Sequence, residues 1–315
     1  MRISDIELES PLINAGGLVK SIEDAQLMSQ TAVGAVLAGS YTLEERFGNG
    51  SNGQTVYYHD PKTGITYNSL GMPNKSLPKV AKELPAMIQI AHDNGKAFIL
   101  NFAPVSDDPI MEVITMVEVL AKAGVEELDA IELNASCPNV VMDNGSRHEL
   151  LSHHPQLLGE VLLELSDVSV NEVPCDRLMV RISPFLQEGD AQKLATVVAE
   201  SGADTISAFN TFPGGVPVDA RGNHILQVPG GMGGQSGAGM RSRAEEQMQW
   251  LVTAREAINA DFEIIGSNGI SDAESMKRRL DMGAAAVSAT TLFWEARSWA
   301  QAADELLRSY AELVG

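Results

Sequence analysis

Apolar residues occur along this chain in short runs that alternate with longer amphipathic segments. The runs are bounded by glycine, asparagine or proline, which is typical of buried strands. They lack the strict alternation of apolar and polar residues that is typical of a sheet with one solvent-exposed face, so helices are expected to cover the sheet. The pattern predicts eight strands, over residues 11–17, 34–40, 96–103, 130–137, 177–183, 204–210, 262–266 and 284–289.

Helical periodicity separates these strands. The first helix begins at Ser21, which has Asp24 three residues later in the pattern of a helix start. Further helices are predicted over residues 77–94, 109–123, a segment reaching 165, 189–201, 242–258, 272–282 and 294–313. Eight strand–helix units predict a closed (β/α)₈ barrel, a TIM barrel with long loops at its C-terminal face, as one catalytic domain over residues 1–315. A doubly wound open sheet is the alternative.

Two long segments, 41–74 and 212–240, are rich in glycine and polar residues and are predicted to be loops. Loops of this length inside a compact domain are usually functional or disordered, and their aromatic and apolar residues favour a function. The N-terminal residues 1–10 are acidic and lack the pattern of a signal peptide. No segment approaches the roughly 18 apolar residues of a membrane span, so we expect a cytoplasmic protein without membrane contact.

The net charge of −20, from 22 basic and 42 acidic residues, argues against binding to nucleic acid. Any anionic ligand must therefore be captured locally. The two cysteines, Cys137 and Cys175, are too few for a disulfide framework or a four-ligand zinc site, and no metal site is predicted.

Polar residues and glycines follow every predicted strand. In a (β/α)₈ barrel the strand C-terminal ends meet at one face, where catalytic residues lie. Such residues also make ordinary turns, but the recurrence of asparagine and serine favours one shared ligand site. The strand ends are 14–17, 39–40, Asn101, 134–139, 181–184, 210–211, 266–269 and 289–291.

The strand end around Cys137 has side chains fit for chemistry. Pro138 stops the strand, and the carboxamides of Asn134 and Asn139 bracket the thiol, where they could hold a planar polar ligand. The alternative is that Cys137 is simply a small buried hydrophobic residue.

Two glycine clusters, 230–234 and 266–269, allow the backbone to approach a ligand closely. The second lies between a predicted strand and helix and, with Thr290 and Thr291, matches the phosphate site common after barrel strands seven and eight. Neither cluster has the spacing G-x-G-x-x-G of a dinucleotide fold, so a cofactor with a single phosphate fits better.

At this point the chain resembles the dihydroorotate dehydrogenases, specifically the soluble class with a cysteine base. The resemblance rests on Asn-Ala-Ser-Cys-Pro-Asn at 134–139, Asn-Ser-Leu-Gly-Met-Pro-Asn at 68–74 and Thr-Leu-Glu-Glu-Arg-Phe-Gly-Asn at 42–49. Residues 14–17, 210–211, 230–234 and 266–269 extend it over nearly the whole chain. It implies an FMN-containing homodimer that oxidises dihydroorotate to orotate in pyrimidine biosynthesis, with fumarate as one candidate acceptor.

The resemblance also implies a role for each matching residue. Cys137 is the base that removes a proton from C5 of the substrate while hydride passes from C6 to the flavin, and a thiol base predicts activity rising towards alkaline pH. The implied substrate-binding residues are Asn68, Leu70, Gly71, Met72, Asn134, Asn139, Asn210 and Thr211. The implied FMN-binding residues are Ala15, Gly16, Gly39, Ser40, Asn101, Asn134, Arg181, Gly231, Asn268, Gly269, Ala289 and Thr290.

Two positions depart from the family pattern. Gly39 stands where the family has a lysine that touches flavin and substrate, and Arg181 stands where it has a lysine near the flavin. An arginine keeps the positive charge, but its guanidinium group is planar and presents its donors in fixed directions. The exchange therefore changes the geometry of the contact with the flavin. A related FMN enzyme acting on another small planar or enone-like compound is the alternative that these departures favour. A barrel that binds a phosphorylated ligand without redox chemistry is a third hypothesis, and Cys137 between two asparagines argues against it.

Overall fold

The computed structural model describes residues 1–136 and 150–315. Within these residues the strands are β1 (Arg2–Ile3), β2 (Ile6–Glu7), β3 (Leu12–Asn14), β4 (Ala35–Tyr41), β5 (Tyr57–Asp60), β6 (Ile65–Asn68), β7 (Ala97–Phe102), β8 (Ala130–Asn134), β9 (Leu178–Ile182), β10 (Thr205–Ala208), β11 (Phe212–Gly215), β12 (Gly233–Ser236), β13 (Glu263–Ser267) and β14 (Ala286–Ala289). The helices are α1 (Ile22–Ser29), α2 (Leu77–Val80), α3 (Leu84–Asp93), α4 (Pro109–Lys122), α5 (Pro155–Glu172), α6 (Glu188–Glu200), α7 (Arg241–Ala257), α8 (Ala273–Asp281), α9 (Thr291–Trp294) and α10 (Trp299–Val314). None of these helices is both long and apolar enough to cross a membrane.

Eight strands form a closed barrel. Its order is β10-β13-β14-β3-β4-β7-β8-β9, with β9 pairing back to β10, and every pair is parallel. These strands are the eight that the apolar runs predict, each overlapping its predicted range. The (β/α)₈ prediction is confirmed, and the doubly wound alternative is wrong because the sheet has no open edge.

The predicted helices also form, but one of them is divided into two and another begins later than predicted. The segment 77–94 forms α2 and α3, and Pro85 lies in the first turn of α3. A proline has no N–H to donate in a helix interior but is tolerated in a first turn, so a second helix begins there. The segment 294–313 forms α10, which begins only at Trp299, because the Ser298 side chain accepts a hydrogen bond from the backbone N–H of Gln301 and caps the helix there.

The acidic N-terminus forms a small hairpin, β1 and β2, that closes the bottom of the barrel. Ile3, Ile6 and Leu8 are buried and belong to the same apolar cluster as the side chains inside the barrel. The hairpin is held to the barrel because Ser4 N donates to Glu263 Oε2 at 2.6 Å. With its lower end plugged, the barrel is open only at the face where the strands end.

The two segments predicted to be loops are instead paired with each other. Strand β12 pairs with β6, and β11 and β5 flank them in a four-stranded antiparallel sheet. Gly234 lies opposite Asn68 in this sheet. The loop prediction was therefore wrong for these strands, because glycine-rich β12 has little strand propensity and its partner lies more than 160 residues earlier.

Candidate active site

The C-terminal ends of the barrel strands surround a cleft with a volume of about 200 Å³. The four-stranded sheet and the residues that follow β6 form one side of it. This is the location that the barrel topology predicts for catalytic residues. The predicted substrate-binding residues that line the cleft are Asn68, Leu70, Gly71, Met72, Asn134, Asn210 and Thr211. The predicted base Cys137 and the predicted ligand Asn139 lie outside the described residues.

Most of the predicted cofactor-binding residues line the same cleft. They are Ala15, Gly16, Ser40, Asn134, Arg181, Asn268, Gly269, Ala289 and Thr290. Gly39, Asn101 and Gly231 are not part of the cleft wall. A Cβ added to Gly231 would lie 2.5 Å from the His224 ring, so this glycine packs against a neighbouring loop. In the same glycine-rich segment, Ser236 and Gly237 line the cleft instead.

Gly39 and Asn101 pack against each other behind the wall. Gly39 has a φ of 124°, and an added Cβ would lie 2.1 Å from the Asn101 carbonyl oxygen. The Asn101 side chain donates to Glu132 Oε1 at 2.5 Å, and Ser207 donates to the other oxygen of this fully buried carboxylate. Glu132 therefore connects Asn101 and Ser207 in a layer of polar side chains inside the barrel, and it lies two residues before Asn134 on strand β8.

Ser136 orients two of the carboxamides in the cleft. Its N–H and hydroxyl both donate to Asn134 Oδ1, at 3.1 and 2.8 Å, while Asn134 Nδ2 donates to Ser40 Oγ at 2.8 Å. Asn210 Nδ2 donates to Ser136 Oγ at 3.0 Å and to its carbonyl oxygen at 3.1 Å. The chain Ser40, Asn134, Ser136 and Asn210 thus fixes these side chains before any ligand binds.

Asn268 connects the loop after β13 to the rest of the cleft. Its φ is 63°, and its side chain donates to the carbonyl oxygens of Asn210 at 3.1 Å and Gln235 at 3.3 Å. Asparagine tolerates this left-handed conformation better than most residues. The short loop is therefore held between the residue after β10 and strand β12.

Three buried side-chain oxygens in or directly behind the cleft wall have no hydrogen-bond partner among the described residues. They are Asn101 Oδ1, Thr211 Oγ1 and Asn268 Oδ1. Asn101 Oδ1 faces Gly16, where an added Cβ would lie 3.9 Å from it. Buried polar atoms are normally satisfied, so these oxygens fit a bound ligand that carries several hydrogen-bond donors.

Arg181 and Lys20 are the cationic residues among the described residues that line the cleft. Arg181 is buried at the floor, on β9 opposite Asn134. Lys20 lies at the rim, and its ammonium donates to the Pro73 carbonyl oxygen at 2.5 Å. Two further basic residues of this region do not line the cleft: Lys75 pairs with Glu83, and Arg46 donates to the Gly71 carbonyl oxygen.

Sequence reasoning missed several residues of the wall. These are Gly17, Lys20, Pro73, Phe209, Ser236, Gly237, Ser267, Ile270, Ser288, Thr291 and Trp294. Gly17, Ser267 and Thr291 fall in strand ends that the sequence did single out. Trp294 had no such signal, because its position depends on the edge-to-face contact with Tyr57, whose ring centre is 5.3 Å away.

Comparison with known proteins agrees with this geometry. A family model described as dihydroorotate dehydrogenase matches residues 1–309. A Solibacter usitatus protein provisionally named dihydroorotate dehydrogenase A (fumarate) is 28% identical over 324 residues, covering 99% of this chain and 96% of the relative. The dihydroorotate dehydrogenase B (NAD(+)) catalytic subunit of Bacillus caldolyticus is 28% identical over 294 residues, covering 92% and 83%. The crystal structure of DHODH in complex with ferulenol from Eimeria tenella has the same fold, with a TM-score of 0.74 at 17% identity, covering 99% of this chain and 83% of that one.

Proposed function

Because the chain belongs to the dihydroorotate dehydrogenase family, we propose that it oxidises dihydroorotate to orotate in pyrimidine biosynthesis, with FMN as its cofactor. The observation that carries this proposal is the meeting of three carboxamides, from Asn68, Asn134 and Asn210, in one cleft above the buried Arg181. A planar ring that both donates and accepts hydrogen bonds is the kind of ligand that such a set of carboxamides can grip.

The cleft suits FMN in shape and in hydrogen-bonding capacity. The small residues Ala15 and Gly16 leave one wall flat enough for a ring system, and the unpartnered oxygens of Thr211 and Asn268 can accept from its donors. The phosphate is proposed to lie against Gly269 and Thr290, with Gly237 nearby. When bound, FMN supplies the acceptor for the hydride that leaves C6 of the substrate.

The protein itself positions the substrate and moves one proton. Asn134 and Asn210, held through Ser136, keep the pyrimidine ring in one orientation, and Asn68 holds its other edge from strand β6. Cys137, the residue directly after Ser136 in the chain, is proposed as the base whose sulfur takes the proton from C5. Holding these groups in place before the reaction is what lowers the barrier.

Lys20 is proposed to bind the carboxylate of the substrate. Gly39 offers no side chain to the cleft, and a protein of net charge −20 needs a local cation to attract an anion. The Lys20 ammonium donates to the carbonyl oxygen of Pro73, directly after residues 70–72, whose backbone, by the same family resemblance, holds the substrate carboxylate. It is therefore within reach of an anion held by that backbone.

Replacing Lys20 with methionine is expected to raise the KM for dihydroorotate about tenfold. This change corresponds to a binding free energy of about 1.4 kcal/mol, the contribution of one charge-assisted hydrogen bond. The rate at saturating substrate should change less than threefold, because Lys20 is proposed to bind the substrate carboxylate and not to transfer the proton. Steady-state kinetics of Lys20→Met beside Lys75→Met, whose ammonium pairs with Glu83, tests this. If both variants had the same KM as the wild type, Lys20 would not bind the substrate carboxylate.

The acceptor and the assembly rest on the family resemblance, and the location rests on the sequence pattern described above. Fumarate is the proposed acceptor, together with a homodimer and a cytoplasmic location. The names of the relatives reported above state two different acceptors, fumarate and NAD(+). The decisive assay therefore compares how fast each of the two compounds reoxidises the reduced protein.

The proposed function is tested by mixing the purified yellow protein with dihydroorotate under anaerobic conditions. Rapid loss of flavin absorbance, together with formation of orotate, is the expected result. A flavin that dithionite reduces but dihydroorotate leaves oxidised would overturn the dihydroorotate assignment.

A second candidate is a related flavin oxidoreductase acting on a planar or enone-like compound without a carboxylate. The observation that favours it is Gly39, where the backbone excludes the lysine typical of the family. Reoxidation of the dithionite-reduced protein by a cyclic enone, in a protein unresponsive to dihydroorotate, would support this candidate.

A further inference from the structure

Arg279, on helix α8, is a fully buried cation directly behind the loop after strand β13. Its Nη2 donates to the carbonyl oxygen of Asn268 at 3.0 Å, and its Nη1 lies 3.8 Å from Met248 Sδ. Its Nε has no partner among the described residues. Among the described residues no carboxylate forms a direct ion pair with Arg279. Glu245 pairs with Arg278 at 3.4 Å and acts on Arg279 only through its nearby charge.

Such a residue is unusual, since buried arginines are almost always paired with an acid. The surroundings are nevertheless built to hold it. A Cβ added to Gly266 would lie 2.0 Å from Arg279 Cγ, so the absence of a side chain at the end of β13 makes room for the arginine. Burial lowers the pKa of Arg279 to about 10, which leaves it charged at neutral pH. A buried positive charge, which Glu245 offsets only in part and without a direct ion pair, therefore lies next to the cleft.

The hydrogen bond to Asn268 determines how the next peptide faces the cleft. The carbonyl of Asn268 and the N–H of Gly269 belong to one planar trans peptide and point in opposite directions. Because the carbonyl points back at Arg279, the Gly269 N–H points away from it, towards the cleft that Gly269 lines. That N–H makes no hydrogen bond to the described residues.

From this geometry we infer that Arg279 is a positioning residue for an anion site at Asn268–Gly269, and that the anion is the phosphate of the bound cofactor. Arg279 orients the Gly269 N–H as a donor. Its buried positive charge also attracts a dianion at this site, without direct contact between the dianion and the guanidinium group. Charge inside a protein is screened far less than charge in water. The inference rests on the proposed function only through the identity of the cofactor.

The test compares the affinity of the full-length protein for FMN and for riboflavin, which lacks the phosphate, by quenching of flavin fluorescence. Arg279→Met, which removes both the charge and the donor, is expected to weaken FMN binding by about 10- to 100-fold, as for loss of hydrogen bonds to charged groups. Riboflavin binding should change less than threefold. Arg279→Lys keeps the charge and should retain most of the preference for FMN.

Two further variants make the result unambiguous. Arg279→Gln keeps a hydrogen-bond donor but removes the charge. If Arg279→Met does not fold, the FMN and riboflavin affinities of Arg279→Gln provide the test instead. Arg278→Met removes the neighbouring half-exposed arginine and should leave both affinities unchanged. Equal losses of FMN and riboflavin affinity in the Arg279 variants, or no loss of either, would overturn the inference. A wild-type protein that binds neither flavin would instead refute the cofactor assignment, whatever the variants do.

Discussion

Replacing Cys137 with alanine is expected to slow flavin reduction by dihydroorotate about 10²- to 10⁴-fold, the usual contribution of a positioned general base. The proton at C5 would then have no nearby acceptor, although the ring would still be held by Asn134 and Asn210. In the wild type the rate should rise towards alkaline pH, because the cysteine thiol has an ordinary pKa of about 8.5 and only the thiolate accepts a proton. Anaerobic stopped-flow measurement across a pH series gives both results.

Cys175 provides the matched control for this variant. It is buried against the barrel, and desolvation raises the pKa of its thiol to about 11, so it stays neutral over the pH range of the assay. Cys175→Ala should therefore retain the wild-type rate and its pH dependence. If Cys137→Ala reduced flavin as fast as Cys175→Ala, another group would have to be the base.

Replacing Gly39 with lysine, the residue typical of the family, is expected to destabilise the protein by about 2–6 kcal/mol rather than to improve it. The backbone at Gly39 has a φ of 124°, which costs any other residue about 1–3 kcal/mol. An added Cβ would also lie 2.1 Å from the carbonyl oxygen of Asn101, and relief of such overpacking costs about 1–3 kcal/mol more. The lysine cannot be restored at this position without moving strand β7.

Urea unfolding of Gly39→Lys and Gly39→Ala, compared with wild type, measures this cost. Gly189→Ala is the matched control, because a Cβ at that helical position would have no neighbour within 4 Å. The control should stay within about 1 kcal/mol of wild type, as exposed substitutions usually do. A Gly39→Ala protein as stable as the control would contradict the close contact between Gly39 and Asn101.

The barrel could be predicted from the sequence because parallel strands covered by helices are apolar throughout, so each strand leaves a local signal. The same logic located most of the site. Asn134, Arg181, Asn210 and Asn268 each follow or end a predicted strand, and barrel topology alone brings those ends together. The family resemblance then added roles, which the kinetic experiments above must test.

Other features could not be predicted because they depend on contacts between distant segments. Strand β12 is mostly glycine, and only its pairing with β6 makes it a strand and holds Asn68 at the cleft. Lys20 and Trp294 line the cleft through neighbours distant in sequence, Pro73 and Tyr57. Gly231 was predicted to contact the cofactor, yet the structure has Ser236 and Gly237 at the cleft instead.

The sequence by itself determined the fold class, the face of the barrel that carries the chemistry and the carboxamides at the strand ends, because these follow from local periodicity and from the geometry common to all such barrels. Only the tertiary structure decided which charges act there. Lys20 reaches the cleft rim, Gly39 is closed off by Asn101, and Arg279 is buried behind Asn268. Those outcomes depend on distances between residues on different strands and helices, and no local pattern of residues encodes such distances.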